Sequence, residues 1–171
     1  LLTYMSHRHI GSISNSIIID PSIKPIVRFS LVLLFIQIML GGWTSTNYAA
    51  LACTDFPTCQ DTWWPDMNFK EGFILWRGLG IDYEGGVLDG SARTAIHMTH
   101  RIGALITSLI IITIAIRAIK SGMKNIKITG CAILTLLIVQ VSLGIANIKL
   151  YLPLSVAVAH NGVAALLLLS L

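Results

Sequence analysis

Three histidines carry the chemistry that this sequence can do. His97-x-x-His100-Arg101 is followed about sixty residues later by His160-Asn161, and all three rings fall inside long apolar runs. An ionisable side chain in hydrocarbon is costly, so it marks a functional site by default. Imidazole is also a common protein ligand for haem iron. Axial ligands approach an iron from opposite sides of the macrocycle. His97 and His100 lie one turn apart, about 60° round the same helix, so they cannot both ligate one iron. A ligand pair must come from two helices. At a rise of about 1.5 Å per residue, His100 lies roughly 13 Å and His160 roughly 9 Å below the outer ends of their helices. The two reach a similar depth and could clamp one haem. The competing reading is a hydrogen-bonded core histidine that only glues helices together. His7 and His9 read as solvated linker residues with no role.

The elements that must position these rings are membrane spans. The 171 residues are 54% hydrophobic and 12% charged, with a mean hydropathy of +0.77. That composition excludes an ordinary soluble domain. The pI of about 9.2 does not point to nucleic acid, because the basic residues sit at helix ends rather than in a patch. Apolar runs predict helices over 26–46, 91–119 and 128–147, and a fourth from 154 to the last residue. Each is near the ~20 residues needed to cross a core of ~30 Å. The expected fold class is therefore an all-α membrane protein, a four-helix transmembrane bundle with a long outer loop. Residues 1–25 read as the tail of an earlier helix and an inner linker, and 26–171 as the bundle. The apolar start at Leu1 and the unfinished run at Leu171 read as a piece of a longer protein.

Charge sets the expected orientation. Arg8, Lys24 and Arg28 precede the first span, and Arg117, Lys120, Lys124 and Lys127 separate the second from the third. The positive-inside rule makes 120–127 a cytoplasmic loop. The 47–91 loop carries Asp55, Asp61, Asp66, Glu71, Asp82, Glu84 and Asp89 against Lys70 and Arg77, so it should face outward. It is too aromatic to be disordered. Phe69, Phe73 and Trp76 at i, i+4 and i+7 predict one face of a short helix, and Trp63 and Trp64 suit a membrane interface. A folded cap over the helix ends is expected, with Gly85, Gly86 and Gly90 turning the chain back. Cys53 and Cys59 in this loop would lie in an oxidising compartment, where a disulfide forms. A zinc site would need two further ligands, and the loop has neither histidine nor a third cysteine. Cys131 reads as a small core residue. Arg93 and Arg101, near the outer end of the second span, suit an anionic partner such as a haem propionate. Arg93 reads equally well as a snorkelling interfacial residue.

A short internal repeat organises these features. Gln37-x3-Gly41 in the first span matches Gln140-x3-Gly144 in the third, and His100-Arg101-Ile102-Gly103 matches His160-Asn161-Gly162-Val163. The chain reads as two hairpins, each donating one histidine. Its glycines would let a backbone or a flat macrocycle approach closely.

Four stretches together resemble the haem A synthase family, of the bacterial type with cysteine pairs in its outer loops. They are QIMLGGWTSTNYAALACTDFPTCQ from Gln37, then Trp63-Trp64-Pro65, then Ala95-Ile96-His97-Met98-Thr99-His100-Arg101-Ile102-Gly103, then Leu152-Pro153 through His160-Asn161. The resemblance runs from about Gln37 to the end and matches the C-terminal half of the family's eight-helix pattern. It implies that the full protein is an oxidoreductase that converts a methyl group of haem O to the formyl group of haem A. It further implies a haem b held here by His100 and His160, with haem O bound in the other half. His97 stands where the other half carries an acidic residue, so no catalytic residue is expected in this half. The resemblance implies a Cys53–Cys59 disulfide and a multi-pass place in the bacterial inner membrane, with the 47–91 loop periplasmic. Implied partners are membrane lipid, haem O synthase and an electron donor, along with a homo-oligomer. The competing class is a cytochrome b-like electron carrier or anchor subunit. A plain anchor has no need of the long motif-bearing loop.

Overall fold

The computed structural model describes residues 23–76 and 88–171. The expected readings of Leu1–Met5, His7, His9, Arg8, Arg77, Asp82, Glu84, Gly85 and Gly86 lie outside the described residues. Helix α1 spans Ile23–Thr46, α2 Phe69–Gly72, α3 Gly90–Ile119, α4 Lys124–Lys149 and α5 Leu154–Ser170. Helices α1, α3 and α4 are long and apolar enough to cross a membrane, and α5 is a shorter apolar helix. The protein is an all-α membrane protein. A helix serves most backbone polar groups within its own segment, as hydrocarbon requires.

Local chemistry explains the helix ends. Asp89 caps α3 by accepting from the Ala92 N–H at 2.7 Å and the Ser91 hydroxyl at 3.1 Å. Gly90 is thus the first residue of α3 rather than part of a turn. Helix α4 starts at Lys124, four residues before the expected 128. Hydropathy marks where hydrocarbon begins, whereas a helix can run on through Lys124, Asn125 and Lys127 with those side chains in water. The expected 120–127 loop is therefore a tight turn over 120–123.

The hairpins assemble as a ring. Helix α1 packs on α3, α3 on α4 and α4 on α5, and α5 returns to touch α1. Among the described residues, α3 and α5 stand diagonally opposite, with no close backbone approach. At the end away from the long loop the ring is filled by Leu34, Ile111, Ala115, Ile133, Leu137 and Leu167. Gly130 brings α4 against α3 there: a Cβ would sit 2.8 Å from the Ala115 carbonyl oxygen. Because Gly130 takes the contact position, Cys131 one step round the helix is exposed, which corrects its expected place in the core. Phe29, Val32, Phe35, Leu105, Leu109 and Leu166 point outward, as a lipid-facing surface would.

The loop is a folded cap on the first turns of α3. Trp43 donates to the Gly72 carbonyl at 3.0 Å, and Ala49, Leu88, Ala92 and Ile96 pack with Trp43 and Phe73. The expected three-residue aromatic face does not form. Helix α2 is one turn long and ends at Gly72, whose Cβ would lie 2.9 Å from the Ala92 carbonyl oxygen. The chain leaves the helix there, Phe73 packs inward and Trp76 is 75% exposed.

Candidate functional site

The site grows from two matched contacts. On α3, the His100 ring lies over Gly41 of α1, and a Cβ on that glycine would stand 3.2 Å from His100 Cε1. On α5, the His160 ring lies over Gly144 of α4 at the same 3.2 Å. One turn before each glycine, a glutamine reaches the same ring. Gln37 Nε2 is 2.9 Å from His100 Nδ1 and also donates to the His100 carbonyl at 2.9 Å. Gln140 Nε2 is 3.2 Å from His160 Nε2. The repeat seen in the sequence is therefore a repeat of contacts. Its Gln-x3-Gly signal was visible, but not that glutamine and glycine serve one imidazole.

The two histidines occupy the diagonal helices α3 and α5, in the half of the ring nearer the loop. The apolar core fills the opposite half. On the residues that meet at these rings, polar atoms are buried without partners: Gln37 Oε1, Gln140 Oε1 and His160 Nδ1. Buried polar atoms are ordinarily satisfied, so this cluster asks for a further polar or metal-bearing occupant. Small residues against the imidazoles and an unpartnered ring nitrogen fit a haem held between two histidines.

His97 and Arg101 belong to a different construction. His97 is 4% exposed, and its Nε2 accepts from Arg101 Nε at 3.2 Å. Arg101 Nη1 donates to the Thr58 carbonyl at 2.8 Å, and Nη2 to the Cys53 and Asp55 carbonyls at 2.9 and 2.8 Å. Its guanidinium lies 5.7 Å from the centroid of Phe56. Four of its five N–H groups thus bind His97 and the loop. Arg101 ties the loop to the helix turn that carries His100. The loop it grips is closed by the Cys53–Cys59 disulfide, with Cα atoms 4.7 Å apart, and the two cysteines cluster with Met98 and Met67. Asp55 finishes the turn. Its oxygens accept from the Gln60 and Asp61 N–H groups at 2.8 and 3.1 Å. The Thr58 hydroxyl first, then those N–H groups, hold its pKa down at about 2. Arg93 lies two turns above Arg101, half-buried near the head of α3.

Fold and site together define a multi-span helical membrane protein whose two hairpins each bring one histidine to a glycine-lined interior. The family model for the COX15-CtaA cytochrome oxidase assembly proteins matches residues 2–171. A heme A synthase of Shewanella oneidensis is 47% identical over 155 residues, covering 89% of this chain and 46% of that protein. The heme A synthase of Rhizorhabdus wittichii is 29% identical over 89% of the chain and 41% of its own length. That of Paracoccus denitrificans is 29% identical over 81% of the chain and 34% of its length. The chain belongs to the COX15-CtaA family, that of the haem A synthases. It spans less than half the length of these curated relatives.

Proposed function

We propose that this chain is the C-terminal, haem b-binding half of a haem A synthase, with His100 and His160 as the axial ligands. The observation that carries the reading is the pair of histidines on diagonal helices, each seated on a glycine beside unpartnered buried polar atoms. The full protein would oxidise the haem O methyl group to the formyl of haem A, with haem O in the other half. When bound here, a bis-histidine haem supplies one-electron transfer or structural support. The chain's own residues do the rest. His100 and His160 would hold the iron, and Gly41 and Gly144 leave room for their rings. The folded loop, held on the start of α3, would shield the His100 side from water. The propionates would point to the loop end, where carboxylates escape hydrocarbon. Arg93 and the one remaining Arg101 N–H would meet them.

The charge pattern supports an orientation in the bacterial inner membrane. Lys24, Arg28, Arg117, Lys120, Lys124 and Lys127 gather at one end, and Asp55, Asp61, Asp66, Glu71 and Asp89 at the other. By the positive-inside rule, the 47–91 loop is periplasmic and the 120–127 segment cytoplasmic. Haem O synthase and an electron donor are the partners such a protein needs, in a lipid setting that also permits a homo-oligomer.

Visible and EPR spectra of purified protein test the ligands. Alanine at His100 or His160 should abolish the low-spin, six-coordinate signal or the haem itself. Alanine at His97 should leave haem in place. Loss of haem from H97A, with a low-spin signal kept in H100A, overturns the assignment.

A further inference from the structure

We infer that His97 is a positioning residue for Arg101: its neutral ring accepts the Nε–H and so fixes the guanidinium in the disulfide loop, beside the helix turn that carries His100. The haem reading above leaves His97 without a role. Arg101 stands four residues on, along the same face of α3, where the side chains of a helix meet. Its Nε is 3.2 Å from His97 Nε2. A guanidinium only donates, so Nε2 offers its lone pair and the ring proton sits on Nδ1. His97 is 4% exposed, and that Nδ1 is buried without a partner. An unpaired buried N–H is unfavourable. An apolar side chain would fill the same space without it. Packing alone therefore does not account for an imidazole at this position, whereas an acceptor for Arg101 does.

The acceptor matters because the far end of the guanidinium is already committed. Nη1 donates to the Thr58 carbonyl, and Nη2 to those of Cys53 and Asp55. All three carbonyls belong to the stretch that the Cys53–Cys59 disulfide closes. Nε is the N–H nearest the stem, so its bond sets the direction in which the fork leaves α3. The backbone carbonyls of α3 are used within the helix, and a side chain one turn back supplies the acceptor instead. Without it, that N–H would lose its partner, and the guanidinium would turn toward water and loosen the loop. A neutral ring also leaves the charge of Arg101 whole, where a carboxylate would offset it. A fixed positive charge one residue from an iron ligand favours the ferrous state. This electrostatic consequence rests on the haem reading above; the grip on the loop does not.

The test compares full-length wild type in detergent with His97→Leu, His97→Gln, Arg101→Leu and the double variant His97→Leu/Arg101→Leu. Two signals are read: amide exchange over 53–60, and the haem midpoint potential by titration. Leucine removes the acceptor, so exchange should be about tenfold faster, as loss of a hydrogen bond from a charged donor implies. The potential should fall, and both changes should share the direction of Arg101→Leu. Glutamine, whose carboxamide oxygen accepts, should restore both signals. In the Arg101→Leu background His97→Leu should add nothing, because the two residues act as one unit. Unchanged exchange in His97→Leu overturns the inference. So does a glutamine variant as loose as the leucine one, or a His97→Leu effect that persists without Arg101. A freed loop with an unchanged potential overturns the tie to the haem. Should His97→Leu fail to fold, His97→Phe takes its place with the same readings expected. Wild-type protein that holds no low-spin haem overturns the haem reading, while exchange still judges His97. Wild-type protein with low-spin haem, and His97→Leu with unchanged exchange, overturns the His97 assignment alone.

Discussion

Arg101 shows how much one side chain can hold. Its guanidinium binds three carbonyls of the disulfide loop and the His97 ring. Hydrogen bonds from a charged donor contribute about 1.5–3 kcal/mol each, and the carbonyls left behind are partly buried. Arg101→Leu should therefore free the loop, read as faster amide exchange over 53–60 with the helices unchanged. In haem-loaded protein the same change should lower the midpoint potential, because removing a nearby positive charge favours the ferric state. An unchanged loop and an unchanged or raised potential would count against both roles. Asp55 sets an acid limit on the same loop. Its pKa is about 2 in the fold against an ordinary 3.8. A depressed carboxylate contributes stability that is complete above the ordinary value and is lost as the pH falls through the folded one. Fluorescence of the exposed Trp63 and Trp64 should thus be steady down to about pH 4 and change as the pH approaches 2. In Asp55→Asn that step should vanish.

At the scale of elements, two glycines in helix contacts should fail differently. At Gly130 a new Cβ would meet the Ala115 carbonyl at 2.8 Å and the Ala118 side chain at 2.9 Å. Backbone cannot yield there, so Gly130→Val should cost about 1–3 kcal/mol of overpacking, visible as a lower melting temperature in detergent. At Gly41 the obstacle is the His100 ring at 3.2 Å. A ring can tilt, so Gly41→Ala should alter the haem spectrum more than the melting temperature. Equal thermal losses in both would show that Gly41 is only a packing position. The disulfide is a local staple. It closes a separation of six residues, so Cys53→Ser should remove on the order of 2–3 kcal/mol from the cap and leave the helical circular dichroism intact.

At the scale of the whole molecule, the ring order decides what the hairpins can do together. Each hairpin places its histidine against its own glycine, and α3 and α5 then face each other across the ring. The apolar core plugs one half, which leaves polar side chains and glycines in the other. Orientation is testable at this scale. A cysteine placed at Thr54 and one placed at Ser121 should react with an impermeant thiol reagent from opposite sides of sealed vesicles. Labelling from one side alone would overturn the proposed topology.

The sequence by itself determined where the apolar helices lie, the histidines and the charge asymmetry. These are local properties: hydropathy over one helix length, a residue type, a count of signs. The helix limits it missed, at Lys124 and Gly72, involve solvated lysines and a glycine packed close on α3, which hydropathy does not register. The partners were decided by tertiary structure. Arg101 meets carbonyls more than forty positions away, and Gln37 meets a ring sixty-three positions away. Whether Cys131 faces the core or lipid depended on which neighbour Gly130 admitted. Such contacts follow from how the helices close into a ring, and a periodic pattern along one chain carries no record of which helix lies across from which.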